Sequence, residues 1–405
     1  MLNYFCLAYR NLGRNRRRSA LSALALSLGV ALLLLMAGFF EGEMRSAMES
    51  SLRLQSGHLQ VRPVGYEEDK LSLAWEDLIE NPEQAATQIS ALESVADAAP
   101  RLMASGIFAV RDETIGVQVL GVNPASASNA PYREGLISGS FIEADDREGI
   151  LLGRPLAEAL GLSVGSRVNL LVNTSDGLVN EQGFVVRGVY STGTPTLDKI
   201  IVLMPLAKAQ AITGAQNRAS IIFVLLKDRE QAPIVAKAIQ GKNIEVKTWQ
   251  ELNQLLIETE NFSNAYLLLL NLIVLGVTAT VIVNTLVMAV FERTREVGVL
   301  AAIGMKGRQI MTLFLTEASL LALGGIGFGL PLGWALCAYF GRKGFYIGDL
   351  GITGMAFGER IYTYLTLEAA TSLTITALVL VLVASLYPAL LAARLEPVEA
   401  LHGKN

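Results

Sequence analysis

Side chains able to make and break bonds are scarce in this chain, and they are badly spaced for it. The two histidines, His58 and His402, lie too far apart in sequence to suggest a metal site or proton relay, and no H-E-x-x-H occurs. The two cysteines, Cys6 and Cys337, make no C-x-x-C pair, which argues against structural zinc and dithiol redox chemistry. No G-x-x-x-x-G-K-[ST] loop is present to cradle ATP, and no nucleophile–base set stands out. The expected catalytic, metal and directly bound cofactor residues are therefore none. What the residues do offer is a segregation of apolar and charged side chains suited to moving something.

That segregation sets the elements. The chain of 405 residues is 52% hydrophobic and 17% charged, where soluble domains carry about a quarter charged residues. Four stretches reach the length of about 20 apolar residues that a bilayer core requires: residues 19–40, 265–291, 310–340 and 366–393. The first is expected to be an uncleaved anchor, because its apolar run exceeds the roughly 7–15 residues of a signal peptide and no good cleavage site follows. Residues 41–264 hold 29 acidic and 19 basic residues, whereas the rest of the chain holds 8 and 14. Arg10, Arg14 and Arg16–Arg17–Arg18, with Arg293, Arg295, Lys306 and Arg308, place residues 1–18, the loop 292–309 and the tail 394–405 in the cytoplasm. Residues 41–264 and the short loop 341–365 then lie outside, and both cysteines escape disulfide pairing. No basic stripe supports nucleic-acid binding.

The external region reads as an α+β domain. Residues 56–62 alternate like a strand, and 82–95 read as a helix capped by Asn81 with Pro82 in its first turn. Residues 107–122 suggest a hairpin about 111–114; 220–226, 231–239 and 244–247 form a second β-α-β unit. Between these units an insertion at about 123–206 is rich in strands and turns. The ends 41–54 and 249–264 are expected to be stalks. Residues 249–291 predict one unbroken helix of ~65 Å, more than twice the lipid core. Leu252, Leu255, Leu256 and Phe262 mark its apolar side, and Met44, Met48 and Leu52 do the same for the first span's continuation.

The cytoplasmic loop is the most informative segment. After Glu292 and Arg293 comes a short amphipathic helix, Arg295 to Met305, with Glu296 charged, Val297, Leu300 and Ala301 on one side and Gly304 as its stop. Such a helix suits a groove on a partner protein or an anionic lipid surface. Inside the membrane Glu317 is the one ionisable residue of the third span. At about two turns from the cytoplasmic edge, it is expected to snorkel or to pair with Arg293, Arg308 or a helix end. Asn271 and Asn284 suggest interhelical hydrogen bonds, Gly324, Gly325, Gly327 and Gly329 suggest close helix approach, and Pro388 a kink or terminus.

The run ERTREVGVLAAIGMKGRQIMTLFLTEASLLALGG resembles the signature of FtsX-like permeases, the MacB/LolC/LolE mechanotransmission (type VII) class of ABC transporters. The closing YPALLAARLEPVEAL, SGHLQVRPVGYEED and ILLGRPLAEALGLSVGSRVNLL resemble the same family, in the order span, domain, three spans. The resemblance implies four transmembrane helices with an α+β periplasmic domain, its porter-like β-α-β units split by a sabre-like insertion. It further implies an inner-membrane permease pairing with a second permease chain, identical or not, above two copies of an ABC ATPase subunit. ATP and magnesium would be used by that separate chain, since the fused ATPase of MacB is not seen ahead of the first span. Arg293, Arg295, Glu296, Val297, Leu300, Ala301, Gly304 and Met305 would seat on the ATPase. Lateral entry of substrate is expected near Leu34, Leu35, Phe39 and Phe40. Lipoprotein release from the membrane, with a periplasmic chaperone or adaptor, is the leading expectation, although the hairpin at 173–183 is short for a chaperone hook. The alternatives are MacB-like efflux of peptides or drugs and FtsX-like signalling to a cell-wall hydrolase.

Overall fold

The computed structural model describes residues 2–14, 16–67, 70–110, 113–239, 241, 243–346 and 360–395. The tip of the expected hairpin at 111–112, most of the loop 341–365 and the tail beyond residue 395 lie outside the described residues. The chain forms two compact units: Met1–Glu43 with Thr259–Phe345 and Tyr362–Asn405, and Met44–Glu258 with Tyr346–Ile361.

The first unit is helical. Its elements are α1 (Leu2–Arg14), α2 (Arg16–Ser51), α3 (Gln254–Glu292), α4 (Thr294–Ala302), α5 (Gly307–Lys343) and α6 (Leu367–Ala393), with α2 and α3 extending beyond the unit. Four of these, α2, α3, α5 and α6, are long and apolar enough to cross a membrane. The helix α1 within segment 1–18 was not expected: basic residues there read as a topology signal, yet Ala8 is buried while Phe5 and Tyr9 are exposed, the pattern of an amphipathic surface helix. Leu26, Val30, Leu286, Leu321, Leu373 and Val381 meet in the core of the bundle. Glycines set the closest approach: a Cβ at Gly325 would fall 2.8 Å from Leu26, at Gly329 2.8 Å from the Ser27 carbonyl oxygen, and at Gly333 2.7 Å from Leu34. Those positions, spaced by four, form one flat face on which α2 lies. Gly324 and Gly327 face open space instead, so only half of the glycines named from sequence serve packing. Asn284 is exposed on α3 and meets no hydrogen-bond partner among the described residues, so the expected bond within the bundle is not made.

In the second unit ten strands share one sheet: β1 (Leu59–Pro63), β2 (Val95–Val110), β3 (Glu113–Val122), β4 (Leu136–Gly139), β5 (Gly149–Gly153), β6 (Arg167–Asn173), β7 (Val179–Tyr190), β8 (Ile201–Pro205), β9 (Ile221–Leu226) and β10 (Ile244–Thr248). Neighbours run β10-β1-β9-β2-β3-β8-β5-β7-β4, with β6 joining β2 to β7. Two split β-α-β units interleave in the first part. The unit β1–helix Pro82–Ser90–β2 leaves room for β9, and the unit β9–helix Ala232–Ile239–β10 leaves room for β1. This is the ferredoxin-like arrangement. In the second part β2, β3, β8, β5, β7 and β6 pair in a closed circuit, which leaves no free edge among them. Phe108, Phe184, Leu102, Ile150 and Val202 fill its interior. The inserted segment is thus continuous with the porter-like part, because the 16-residue β2 pairs with β9 near its start and with β6 near its end.

Candidate functional site

The corner expected to face the cytoplasm is built from the ends of α3, α4 and α5. Arg293 breaks α3 and begins α4, with the Val297 N–H donating to the Arg293 carbonyl at 2.9 Å. Gly304 turns the chain back at φ +101°, a conformation glycine adopts without strain. The Lys306 N–H donates to Gln309 Oε1 at 2.8 Å as α5 starts. Val297 packs with Val290, Ile310, Phe314, Ala389 and Ala392 and is buried, so it supports α4 from beneath and offers nothing to a partner. Leu300, Ala301 and Met305 are half-buried. The outward face carries Arg295, Glu296, Val299, Ala302, Ile303 and Gly304, with Ile303 80% exposed. Sequence reasoning chose the more apolar side as the contact face and did not name the exposed Val299 and Ile303. A loop helix held on a bundle gives its better apolar side to that bundle, and what projects is the remainder.

The stalk residues separate in a similar way. Leu52 is buried, Met44, Met48, Leu252 and Leu256 are half-buried, and Leu255 and Phe262 are exposed. The expected unbroken helix is interrupted: a short helix Trp249–Leu252, started by a Thr248–Glu251 capping box, precedes α3. The cause is Asn253. Its buried amide donates to Ser56 Oγ at 3.0 Å and to the Trp249 carbonyl at 2.8 Å, and accepts from Ser51 Oγ. Residues 52–56 themselves form a π-helical turn ending at Gly57, φ +63°. Asn253 therefore ties the chain's two entries into the second unit. Behind them the buried Arg101 donates to the Leu54 carbonyl at 2.9 Å and to the Ser128 carbonyl at 3.3 Å, over the face of Phe223 at 3.6 Å. Burial lowers its guanidinium to about 10, so it remains charged at neutral pH.

On α2 the expected entry face is partly covered. Leu34 is buried against α5 at Gly333, and Leu35, Phe39 and Phe40 are half-buried, Phe39 edge-on to Phe345 and Phe40 to Tyr266. The exposed ridge is Leu21, Leu24, Leu28 and Leu32, spaced three and four apart.

Two family profiles match: a MacB-like periplasmic core domain over residues 19–242 and an FtsX-like permease C-terminal region over 268–397. The chain is an ABC-type, FtsX-like permease of the MacB/LolC class. It is 24% identical to the lipoprotein-releasing system transmembrane protein LolC of Neisseria meningitidis, over 94% of this chain and 92% of that protein. It is 31% identical to the macrolide export ATP-binding/permease protein MacB of Rhodospirillum rubrum over 83% of this chain, but spans only 53% of that protein. Among solved structures, the periplasmic region of MacB from Actinobacillus actinomycetemcomitans aligns at 15% identity, TM-score 0.36, over 51% of this chain and 96% of that one.

In this FtsX-like permease the intramembrane acid is accounted for by its neighbours. Glu317 Oε1 accepts from Arg293 Nη1 at 3.0 Å and from Asn11 Nδ2 at 2.6 Å, and Arg293 Nη2 donates to the Asn11 carbonyl at 2.9 Å. Arg293, expected to seat on the ATPase, is thus turned inward, and Arg308 is not the partner of Glu317. At the surface of the permease, Arg14 pairs with Glu296 at 2.8 Å and Arg18 with Glu292 at 3.0 Å. Exposed pairs of this kind contribute less than about 1 kcal/mol each.

Proposed function

We propose that this permease couples ATP hydrolysis by a separate ATPase subunit, two copies beneath a pair of permease chains, to movement of its periplasmic domain, and that its cargo is lipoprotein drawn from the inner membrane. The observation that carries the cargo reading is the end-to-end correspondence with LolC, whose name records lipoprotein release: 94% of this chain against 92% of that protein. The higher identity to MacB, 31%, favours export of a peptide or drug as the second reading.

In the mechanism, closure of the ATPases presses on Arg295, Val299 and Ile303, which project from α4. The corner passes the thrust to α3, whose first turns follow Asn253, and the periplasmic domains change their mutual arrangement. No hydrophilic conduit is required, because acyl chains approach α2 from the lipid along Leu24, Leu28 and Leu32. Both termini and α4 lie in the cytoplasm.

The test is photo-crosslinking from Leu28 and Leu32 in inner-membrane vesicles holding the whole transporter. Acylated lipoprotein is expected to be captured, and ATP is expected to reduce the capture. In Arg295→Glu, membrane insertion and capture persist while the ATP effect is lost. Capture of no lipoprotein, with ATP-dependent retention of a macrolide or peptide, transfers the assignment to efflux.

A further inference from the structure

The amino-terminal helix α1 is a by-product of no obvious need in the mechanism above, yet the most completely desolvated ion pair among the described residues holds it in place. The side chains of Arg293 and Glu317 are 6% and 3% exposed. Three elements converge on them. Arg293 begins α4, Glu317 lies in α5, and Asn11 of α1 uses both its side chain, to Glu317 at 2.6 Å, and its backbone carbonyl, from Arg293 at 2.9 Å. Ala8, one turn before Asn11, is fully buried, so α1 is seated as well as hydrogen-bonded.

A buried pair of this sort adds little net stability over a well-packed apolar pair of similar volume, and its distinguishing property is geometric. Sliding α1 by one residue, or rotating α4 on the bundle, strands a charge where water does not reach. An apolar contact tolerates such sliding. The planar guanidinium, divided between a carboxylate and a carbonyl in fixed directions, does not. The exposed pair Arg14–Glu296 adds a second link between α1 and α4.

We infer that Arg293, Glu317 and Asn11 are positioning residues that make α1, α4 and α5 one rigid body, so that a push received on α4 reaches the amphipathic α1. That helix presents Phe5 and Tyr9 outward, the side chains with which it would rest in the lipid interface. The lock itself stands without any reading of cargo. Only the origin of the push rests on the proposed function.

The experiment uses the full chain in nanodiscs with Cys337→Ala, spin labels on the native, exposed Cys6 and on Ile303→Cys, and pulsed electron–electron resonance to read the distance distribution between them. One narrow distribution is expected. Glu317→Gln is expected to broaden it or split it into more than one population. The double variant Arg293→Met with Glu317→Met, which removes the lock without leaving a lone buried charge, should be folded and equally broad. A second label pair within α5 and α6 should stay narrow in every variant, which separates loosening of α1 from unfolding. An unchanged distribution in the double variant, or a broad one in the starting protein, overturns the inference. Because no ATPase or cargo enters the measurement, a narrow pair in a chain that captures no lipoprotein sinks the cargo reading and keeps the lock.

Discussion

His58 shows how one side chain in the second unit carries an acid response. Its Nδ1 accepts the Leu226 N–H at 2.9 Å, which requires an unprotonated ring nitrogen. Burial holds its pKa below the ordinary 6.5, with the Arg229 charge acting in the same direction and Asp228 against it. The unfolded chain therefore binds a proton that the folded chain resists, so this contribution is complete above pH 6.5 and is lost as acid carries the pH down toward the lowered value. Denaturant melts of the second unit's tryptophan signal across this range should show stability falling on acidification. His58→Asn, which keeps an acceptor and removes the titration, should flatten that fall, and an undiminished acid slope would count against the assignment. At the same scale, Arg293 was legible in sequence as one candidate partner of Glu317, whereas Val297 was legible as part of a corner but not as inward-facing, because a linear pattern records spacing and not which face another helix covers.

Among the elements, α5 lends itself to a paired test. Its glycines at 325, 329 and 333 let α2 approach, whereas Gly327 of the same helix faces open space. A branched side chain at Gly329 would meet the Ser27 carbonyl oxygen, which belongs to backbone and cannot move aside. Gly329→Val is expected to cost about 1–3 kcal/mol as overpacking, read as a lower melting temperature of the purified protein in detergent. Gly327→Val should leave that temperature within error, and equal losses at the two positions would refute the packing role. The stalks illustrate what an element-level pattern misses. Absence of proline and a helical period predicted continuity through residue 253, but Asn253 satisfies Ser51 and Ser56 instead, where leaving buried hydroxyls unpaired costs about 1–3 kcal/mol each.

For the whole molecule, the contrast between an acidic region at 41–264 and a basic apolar remainder carries the proposed orientation. A membrane-impermeant thiol reagent added to spheroplasts should label Val179→Cys, at the exposed tip of the β6–β7 hairpin, and should label Ile303→Cys only after the membrane is opened, in a chain otherwise lacking cysteine. Labelling in the reverse order would invert the molecule and remove the basis for an ATPase beneath α4. The four membrane-length helices, the split β-α-β units and the family were readable from the sequence, because bilayer thickness, strand and helix periods and local charge each leave a signature within a short window of residues. The closed strand circuit, the part Asn11 takes in the Arg293–Glu317 pair, the burial of Leu34 and the exposure of Val299 and Ile303 were decided only by tertiary structure. Each depends on residues tens to hundreds of positions apart competing for the same buried space, and such competition has no period.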